Sequence, residues 1–382
     1  MSHLDQNLQR ERYLPEERMG LPAIYNASTV YFTSHEQYKG DQSERLGYGR
    51  EGNPTQYALK RKIIEREQAF GALLYASGLL AISSTITALV KRGSKLLVAD
   101  HCYEPSIEFC RKLAEQFELQ LTIFDATDLA VFEQYCQQGY DLMLMEVMAS
   151  DSLAVCDLAA IAKLCQKYQV CSVIDATWSA GITAKPLTLG FDAVVHSCTK
   201  FFSGCSDVFL GVVVANQSVF TRLAGYAELI GNHVSSQDVY YILRGLKTLD
   251  LRYQHQSILA HKLALNLCEF FACSPNIDAQ VNYPTFHPAF HQGSGFCQPE
   301  FGGSLVVFSF NWQQGFDFVR FFSKLRLIKC GYSWGGADSL VTYGLRGTAT
   351  GQRAEFRVHM GLEQPEQIYQ ELEQALQALM EE

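Results

Sequence analysis

The strongest constraint on this chain is an alternation. Between residues 73 and 211, short apolar runs recur at Leu73–Ala76, Lys95–Ala99, Leu119–Phe124, Asp141–Met145 and Val170–Ile174, and again on either side of His196. Between them lie stretches with helical spacing: one opening at Ala81, then Pro105–Gln116, Leu129–Cys136 and Leu158–Tyr168. Apolar β-branched runs that do not alternate with polar residues read as strands buried on both faces. Strands separated by helices call for a mostly parallel sheet with right-handed crossovers. The pattern therefore predicts an α/β fold.

In such a sheet, ligands bind beyond the carboxyl ends of the strands. Here those ends carry Tyr103, Glu146, Asp175, and Ser197 with Lys200. A lysine set among hydroxyls and small residues just past a buried strand is badly placed for a solvated surface charge. A lysine amine in an apolar site loses its proton readily and forms Schiff bases with carbonyl compounds. An acid one strand away suits the pyridinium nitrogen of pyridoxal phosphate (PLP), the usual partner of such a lysine. Ser77-Gly78-Leu79 opens a helix, where free backbone N–H groups suit a phosphate.

Composition narrows the class. The chain has 382 residues, more than one ordinary core, so a large domain and a smaller one are expected. A hydrophobic fraction of 48% with 19% charged residues fits a packed enzyme rather than a disordered chain. The formal net charge of −9 repels a phosphate backbone overall, so no nucleic-acid partner is expected. The twelve cysteines form no C-x-x-C pair and no Cys/His spacing for zinc, so no metal is expected. Most sit in apolar surroundings as small hydrophobes, which points to a reducing compartment. Met1–Arg18 has no apolar core of the signal-peptide kind and no run is long enough to span a membrane, so the expectation is cytoplasmic, without a membrane partner.

Residues 1–55 carry turn formers and little periodicity, and read as an arm that must lie on something else. Thr55 is the expected cap of a helix running through Tyr57, Leu59, Ile63 and Ile64. A large domain is expected over 56–246 and a smaller α/β domain over 247–382. After Gly211 the spacing predicts helices over Val219–Ile230 and from Val239 to about Phe271. Strands at Leu305–Phe310 and Phe356–Met360 follow, with helices near Phe316–Leu325 and Pro365–Leu379.

In order along the chain stand Tyr48-Gly49-Arg50, Ser77-Gly78-Leu79, Tyr103-Glu104-Pro105-Ser106, Asp175-Ala176-Thr177-Trp178 and Ser197-Cys198-Thr199-Lys200. They continue with Arg244-Gly245-Leu246-Lys247-Thr248-Leu249, Ser333-Trp334-Gly335-Gly336 and Arg357-Val358-His359-Met360-Gly361-Leu362-Glu363. In these motifs the chain resembles the Cys/Met-metabolism family of PLP-dependent enzymes, of the aspartate-aminotransferase fold (fold type I). The resemblance implies a large domain with a mostly parallel seven-stranded sheet and a smaller C-terminal α/β domain. It implies that Lys200 bonds the cofactor and shuttles the proton, Asp175 meets the pyridine nitrogen, and Tyr103 stacks on the ring and assists catalysis. Gly78, Leu79, Ser197 and Thr199 are implied to hold the phosphate, and Tyr48 and Arg50 to reach the phosphate of a neighbouring subunit, Tyr48 also taking part in catalysis. A homo-oligomer with shared sites, a dimer-built tetramer, is implied. Arg357 is implied to grip the substrate α-carboxylate, with Tyr332, Ser333, Trp334 and Tyr240 as further substrate contacts.

The resemblance also bears on the reaction. In γ-directed members a glutamate often precedes the Ser-x-Gly-Gly turn and a leucine lies inside it; Tyr332 and Trp334 stand there instead, the β-lyase-like choice. The expected reaction is cleavage of cystathionine to homocysteine, pyruvate and ammonia, within transsulfuration and methionine biosynthesis. A γ-lyase or γ-replacement transferase is the first alternative, and a non-catalytic PLP-binding protein the second. Four positions depart from the family pattern: Ala176 stands for Asn, Phe201 for Tyr, Cys205 for His and Met148 for Pro.

Overall fold

The computed structural model describes residues 20–39, 47–274, 277–291, 293–311, 316–348 and 351–380. The expectations for residues 1–19 and 40–46 of the arm lie outside these. A central sheet takes strands β1 (Gly71–Tyr75), β2 (Lys95–Ala99), β3 (Gln120–Phe124), β4 (Leu142–Glu146), β5 (Cys171–Asp175), β6 (Ala193–Ser197) and β7 (Gly211–Ala215). Its order is β1-β7-β6-β5-β4-β2-β3. Only β7 runs against its neighbours, so the sheet is the expected mostly parallel one. Every residue of β7 is buried, as are four of the five in β2, β4 and β6, which is why these strands read as unbroken apolar runs.

Helices α1 (Pro54–Glu67), α2 (Gly78–Leu89), α3 (Glu104–Phe117), α4 (Leu129–Gln137), α5 (Leu158–Tyr168), α6 (Gln217–Leu229) and α7 (Ser236–Leu246) accompany this sheet. The cap of α1 is Asn53, whose side chain accepts from Gln56 N at 3.1 Å, and not Thr55. Pro54 fills the first helical position, where no N–H is missed. Thr55 instead ties down the arm, donating to Ala23 O at 2.8 Å and accepting from Tyr25 N at 3.0 Å.

The single helix expected from Val239 to Phe271 is two: α7 ends at Leu246 and α8 (Leu249–Ala272) starts afresh. Gly245 presses on the carbonyls of Phe202 and Ser203, leaving no room for a side chain. Arg252, nearly buried, then donates to Gly245 O at 2.9 Å, a carbonyl that a continuous helix would bond internally, and to Phe201 O of the facing loop at 2.8 Å.

A second sheet of β8 (Ala279–Asn282), β9 (Leu305–Asn311), β10 (Lys329–Cys330), β11 (Leu340–Thr348) and β12 (Gly351–His359) has the order β10-β11-β12-β9-β8. With α8, α9 (Phe318–Lys324) and α10 (Pro365–Met380) it closes a core around Phe308, Phe310, Phe321, Phe356 and Leu372. The strand expected at Phe356–Met360 is β12, which starts earlier, at Gly351, and pairs with β11, where no strand is expected because Tyr343–Arg346 are exposed and include Gly344 and Arg346 rather than an apolar run. No described helix is long and apolar enough to cross a membrane.

Candidate active site

The carboxyl ends of β4, β5 and β6 lie side by side, so Glu146 and Asp175 are register partners and Ser197 stands one strand on. These ends open into a cavity of about 960 Å³. Its wall includes Gly78, Leu79, Tyr103, Asp175, Ser197, Thr199 and Lys200 from the first sheet. Tyr332, Ser333, Trp334 and Arg357 come from the second. Tyr48 and Arg50, on the short turn of 3₁₀ helix Gly49–Glu51, are not in this wall, and Tyr48 is largely exposed. Tyr240 is also outside it, half-buried on α7 against Tyr241.

Lys200 lies in the turn after β6, its amine 2.7 Å from Ser333 Oγ and 5.2 Å from the centre of the Trp334 ring. Burial, with the Arg357 charge adding to it, pulls its pKa down to about 8. The turn bearing Ser333 is pressed against it: a Cβ on Gly335, whose φ is +82°, would fall 2.8 Å from Phe201 N and 3.0 Å from Lys200 C. Ser333 itself takes φ +96°, a strained conformation for a residue with a side chain. Buried His359 holds that turn: its Nε2 donates to Gly336 O at 3.2 Å and its Nδ1 accepts from the Ser304 hydroxyl at 2.9 Å. Burial lowers its pKa to about 4, so the ring is neutral.

Asp175 accepts from Thr177 N at 2.8 Å and from the Thr177 hydroxyl, both through Oδ1. Oδ2 accepts from no described residue, and Asp175 lines the cavity. Burial raises the Asp175 carboxyl and the Thr177 bonds oppose this. Beside it, burial and the Asp175 charge push Glu146 well above the usual carboxylate range. Glu146 Oε1 accepts from Tyr103 N at 2.6 Å, which fixes the residue at the head of α3.

At the other end of the cavity, Ser77 caps α2, accepting from Leu80 N at 3.1 Å. Gly78 meets Ser197 so closely that a Cβ there would sit 2.6 Å from Ser197 Cβ, and a Cβ on Gly211 would lie 2.2 Å from Ser77 O. Helix start and strand end thus form one tight seam, with free N–H groups and the hydroxyls of Ser197 and Thr199 beside it.

These features fit PLP: an amine depressed enough to bond an aldehyde, an unpaired carboxylate oxygen, and a helix N-terminus for a phosphate. The wall also holds residues that sequence patterns did not mark as site residues. Thr177, Asp151, Tyr343 and Glu355 are among them. Glu355 had a usable signal, since it lies two residues before Arg357 on β12 and so shares its face. Asp151 had none, because a turn without periodicity gives its direction only in three dimensions. Of the departures, Ala176 and Met148 are buried, Phe201 packs at 5.5 Å on Trp334, and Cys205 is exposed.

Comparison with known proteins points the same way. The sequence profile of the family described as Cys/Met metabolism PLP-dependent enzyme matches residues 6–377. Cystathionine beta-lyase of Escherichia coli is 30% identical over 83% of this chain and 81% of its own. L-methionine gamma-lyase of Pseudomonas putida is 29% identical over 96% of this chain and 95% of its own. Cystathionine gamma-lyase of Lactobacillus plantarum, solved with L-serine, superposes with a TM-score of 0.81 at 25% identity, covering 99% of both chains.

Proposed function

The chain belongs to the Cys/Met metabolism PLP-dependent enzymes, and from that premise we propose that it is a carbon–sulfur lyase acting on L-cystathionine by β-elimination. Its products are homocysteine, pyruvate and ammonia. The observation that carries the proposal is the convergence on one cavity of Lys200 and Asp175 from the ends of two strands of the first sheet and of Arg357 from β12 of the second.

Lys200, Asp175, Ser197, Thr199, Gly78 and Leu79 would hold the cofactor, and Tyr103 would cover its ring. When bound, PLP supplies an electron-accepting ring that stabilises negative charge at the substrate Cα. The chain's own residues do the rest. Arg357 binds the α-carboxylate through paired donors and so sets which Cα bond is presented for cleavage. Lys200, with an amine near neutrality, takes the Cα proton and returns a proton to the departing sulfur. Ser333 Oγ, 2.7 Å from that amine, keeps it aimed into the cavity. Asp175 holds a proton at the ring nitrogen. Tyr332 and Trp334 in place of glutamate and leucine favour cleavage at Cβ over Cγ.

Tyr48 and Arg50 would complete the site of a neighbouring subunit in a cytoplasmic homo-oligomer. Exposed Tyr48 and half-buried Arg50 both lie outside this chain's own cavity, which supports that reading, as does the arm from 20 to 34, which is mostly exposed.

The test is to incubate the purified protein with PLP and L-cystathionine and follow pyruvate, 2-oxobutyrate and free thiol together. Pyruvate with homocysteine is expected. 2-Oxobutyrate with cysteine would move the protein to γ-elimination, the reading favoured by the methionine gamma-lyase likeness. Neither keto acid would refute lyase activity on this substrate.

A further inference from the structure

Gripping an α-carboxylate does not account for one ion pair in the cavity. Arg357 Nη1 donates to Asp151 Oδ1 at 2.7 Å and reaches Ser150 Oγ at 3.5 Å. The arginine side chain is 14% exposed, while that of Asp151 is 81% exposed. The loop carrying Asp151 is short and pinned: Met148 and Val155 form a bridge across its base, and Leu153 N donates to Ala149 O at 3.0 Å. Asp151 is therefore presented to Arg357 by a fixed turn.

A second acid stands nearby. Glu355 shares the cavity wall with Asp151 and Arg357. Burial keeps its carboxyl above the usual range, and the Asp151 charge adds to this. Its register partner on β11 is Gly344, and a Cβ on Gly344 would meet no atom within 4 Å. Open room thus lies beside Glu355, with Arg346 4.0 Å from it on the rim.

We propose that Asp151 selects the far end of the substrate. It yields Arg357 to the incoming α-carboxylate and, with Glu355, takes a distal ammonium group in exchange. The site then favours amino acids that carry a second amino group beyond the sulfur. The inference rests on Arg357 being the α-carboxylate clamp.

Charge balance is the reason. Before substrate enters, Arg357 and Asp151 neutralise each other. A thioether with one amino group displaces Asp151 and leaves it beside Glu355, with Arg346 on the rim near Glu355 but no new cation brought to Asp151. A diamino thioether exchanges one ion pair for two. Because Asp151 is well exposed, water softens the loss, so the discrimination is several-fold rather than many orders of magnitude.

The experiment uses the holoenzyme and its Asp151→Asn variant, each titrated with L-cystathionine and with S-ethyl-L-cysteine. The readouts are KM and the concentration giving half the change in the cofactor's visible absorbance, which registers binding even without turnover. Asp151→Asn is expected to raise the half-saturating L-cystathionine concentration about threefold or more and to lower that for S-ethyl-L-cysteine. A preference ratio that stays unchanged, or shifts of both ligands in one direction, overturns the proposal, since a merely structural role would move both together. Arg357→Lys separates the two readings. If it weakens both ligands while Asp151→Asn leaves the ratio alone, only the role of Asp151 falls. If it changes neither, the carboxylate clamp itself falls, and the exchange with it.

Discussion

Gly78→Ala puts the seam between α2 and β6 to the test as the seat of the cofactor phosphate. The added methyl would lie 2.6 Å from Ser197 Cβ, 2.8 Å from its Oγ and 3.1 Å from its Cα. Ser197 cannot swing away, because its Cβ is fixed by the backbone of β6, which is bonded on both sides to β5 and β7. Relief must come from α2 moving off the strand by roughly the 1 Å that separates these contacts from ordinary packing, at a cost of about 1–3 kcal/mol. That movement parts the amides of Gly78 and Leu79 from the hydroxyls of Ser197 and Thr199. Charge-assisted hydrogen bonds depend steeply on distance. A tenfold or greater rise in the PLP dissociation constant is therefore expected. Each tenfold removes about 1.4 kcal/mol of the stabilisation that a fixed excess of PLP confers. The assay is an absorbance titration of apoprotein with PLP, alongside unfolding with and without the cofactor. Gly225→Ala is the control: it lies within α6, its Cβ would meet nothing within 4 Å, and it should stabilise slightly, by about 0.5–1 kcal/mol. A PLP affinity in Gly78→Ala within twofold of wild type would show that the phosphate sits elsewhere.

Lys200→Ala should abolish keto-acid release while leaving the fold intact, because cofactor bonding and proton transfer share that amine; steady-state activity near wild type would remove Lys200 from the chemistry. The depressed amine also predicts a pH dependence. With a pKa near 8 rather than the usual lysine value, half of the amine is uncharged at about pH 8. The rate of PLP uptake by apoprotein should then rise through that pH and level off above it, and a rate still climbing tenfold per pH unit towards pH 10 contradicts the burial argument. Phe356→Ala removes a fully buried ring that stacks on Phe308 at 5.0 Å and meets Phe321 at 5.1 Å. It should cost about 3–5 kcal/mol in urea unfolding of the second core, and a loss under 1 kcal/mol would mean that this core closes around the gap.

Much of the architecture is legible in the sequence because buried parallel strands leave a local mark. The runs at Lys95–Ala99 and Leu158–Tyr168 coincide with β2 and α5, and the others fall within a few residues of their strands or helices. The marks fade where the cause is not local. Nothing in the spacing from Val239 to Phe271 announces the break at Lys247-Thr248, which depends on Gly245 meeting a distant loop and on Arg252 capping its carbonyl. The cap of α1 is Asn53 although Thr55 is the expected one, because a threonine before an apolar helix looks the same whether it caps or tethers an arm.

The chemistry divides in the same way. Residue type and strand-end position suffice to single out Lys200 and Asp175, since a reactive amine and a buried acid are properties of single side chains in a local setting, whereas Arg357 is marked only by the family motif that carries it. That Ser333 meets Lys200 across 133 residues and that Asp151 meets Arg357 across 206 are decided only when two sheets close on one another, and that Glu146 fixes Tyr103 only when β2 and β4 pair. Periodicity records which face of an element is apolar, whereas a site is made of polar contacts between elements, and those have no period along the chain.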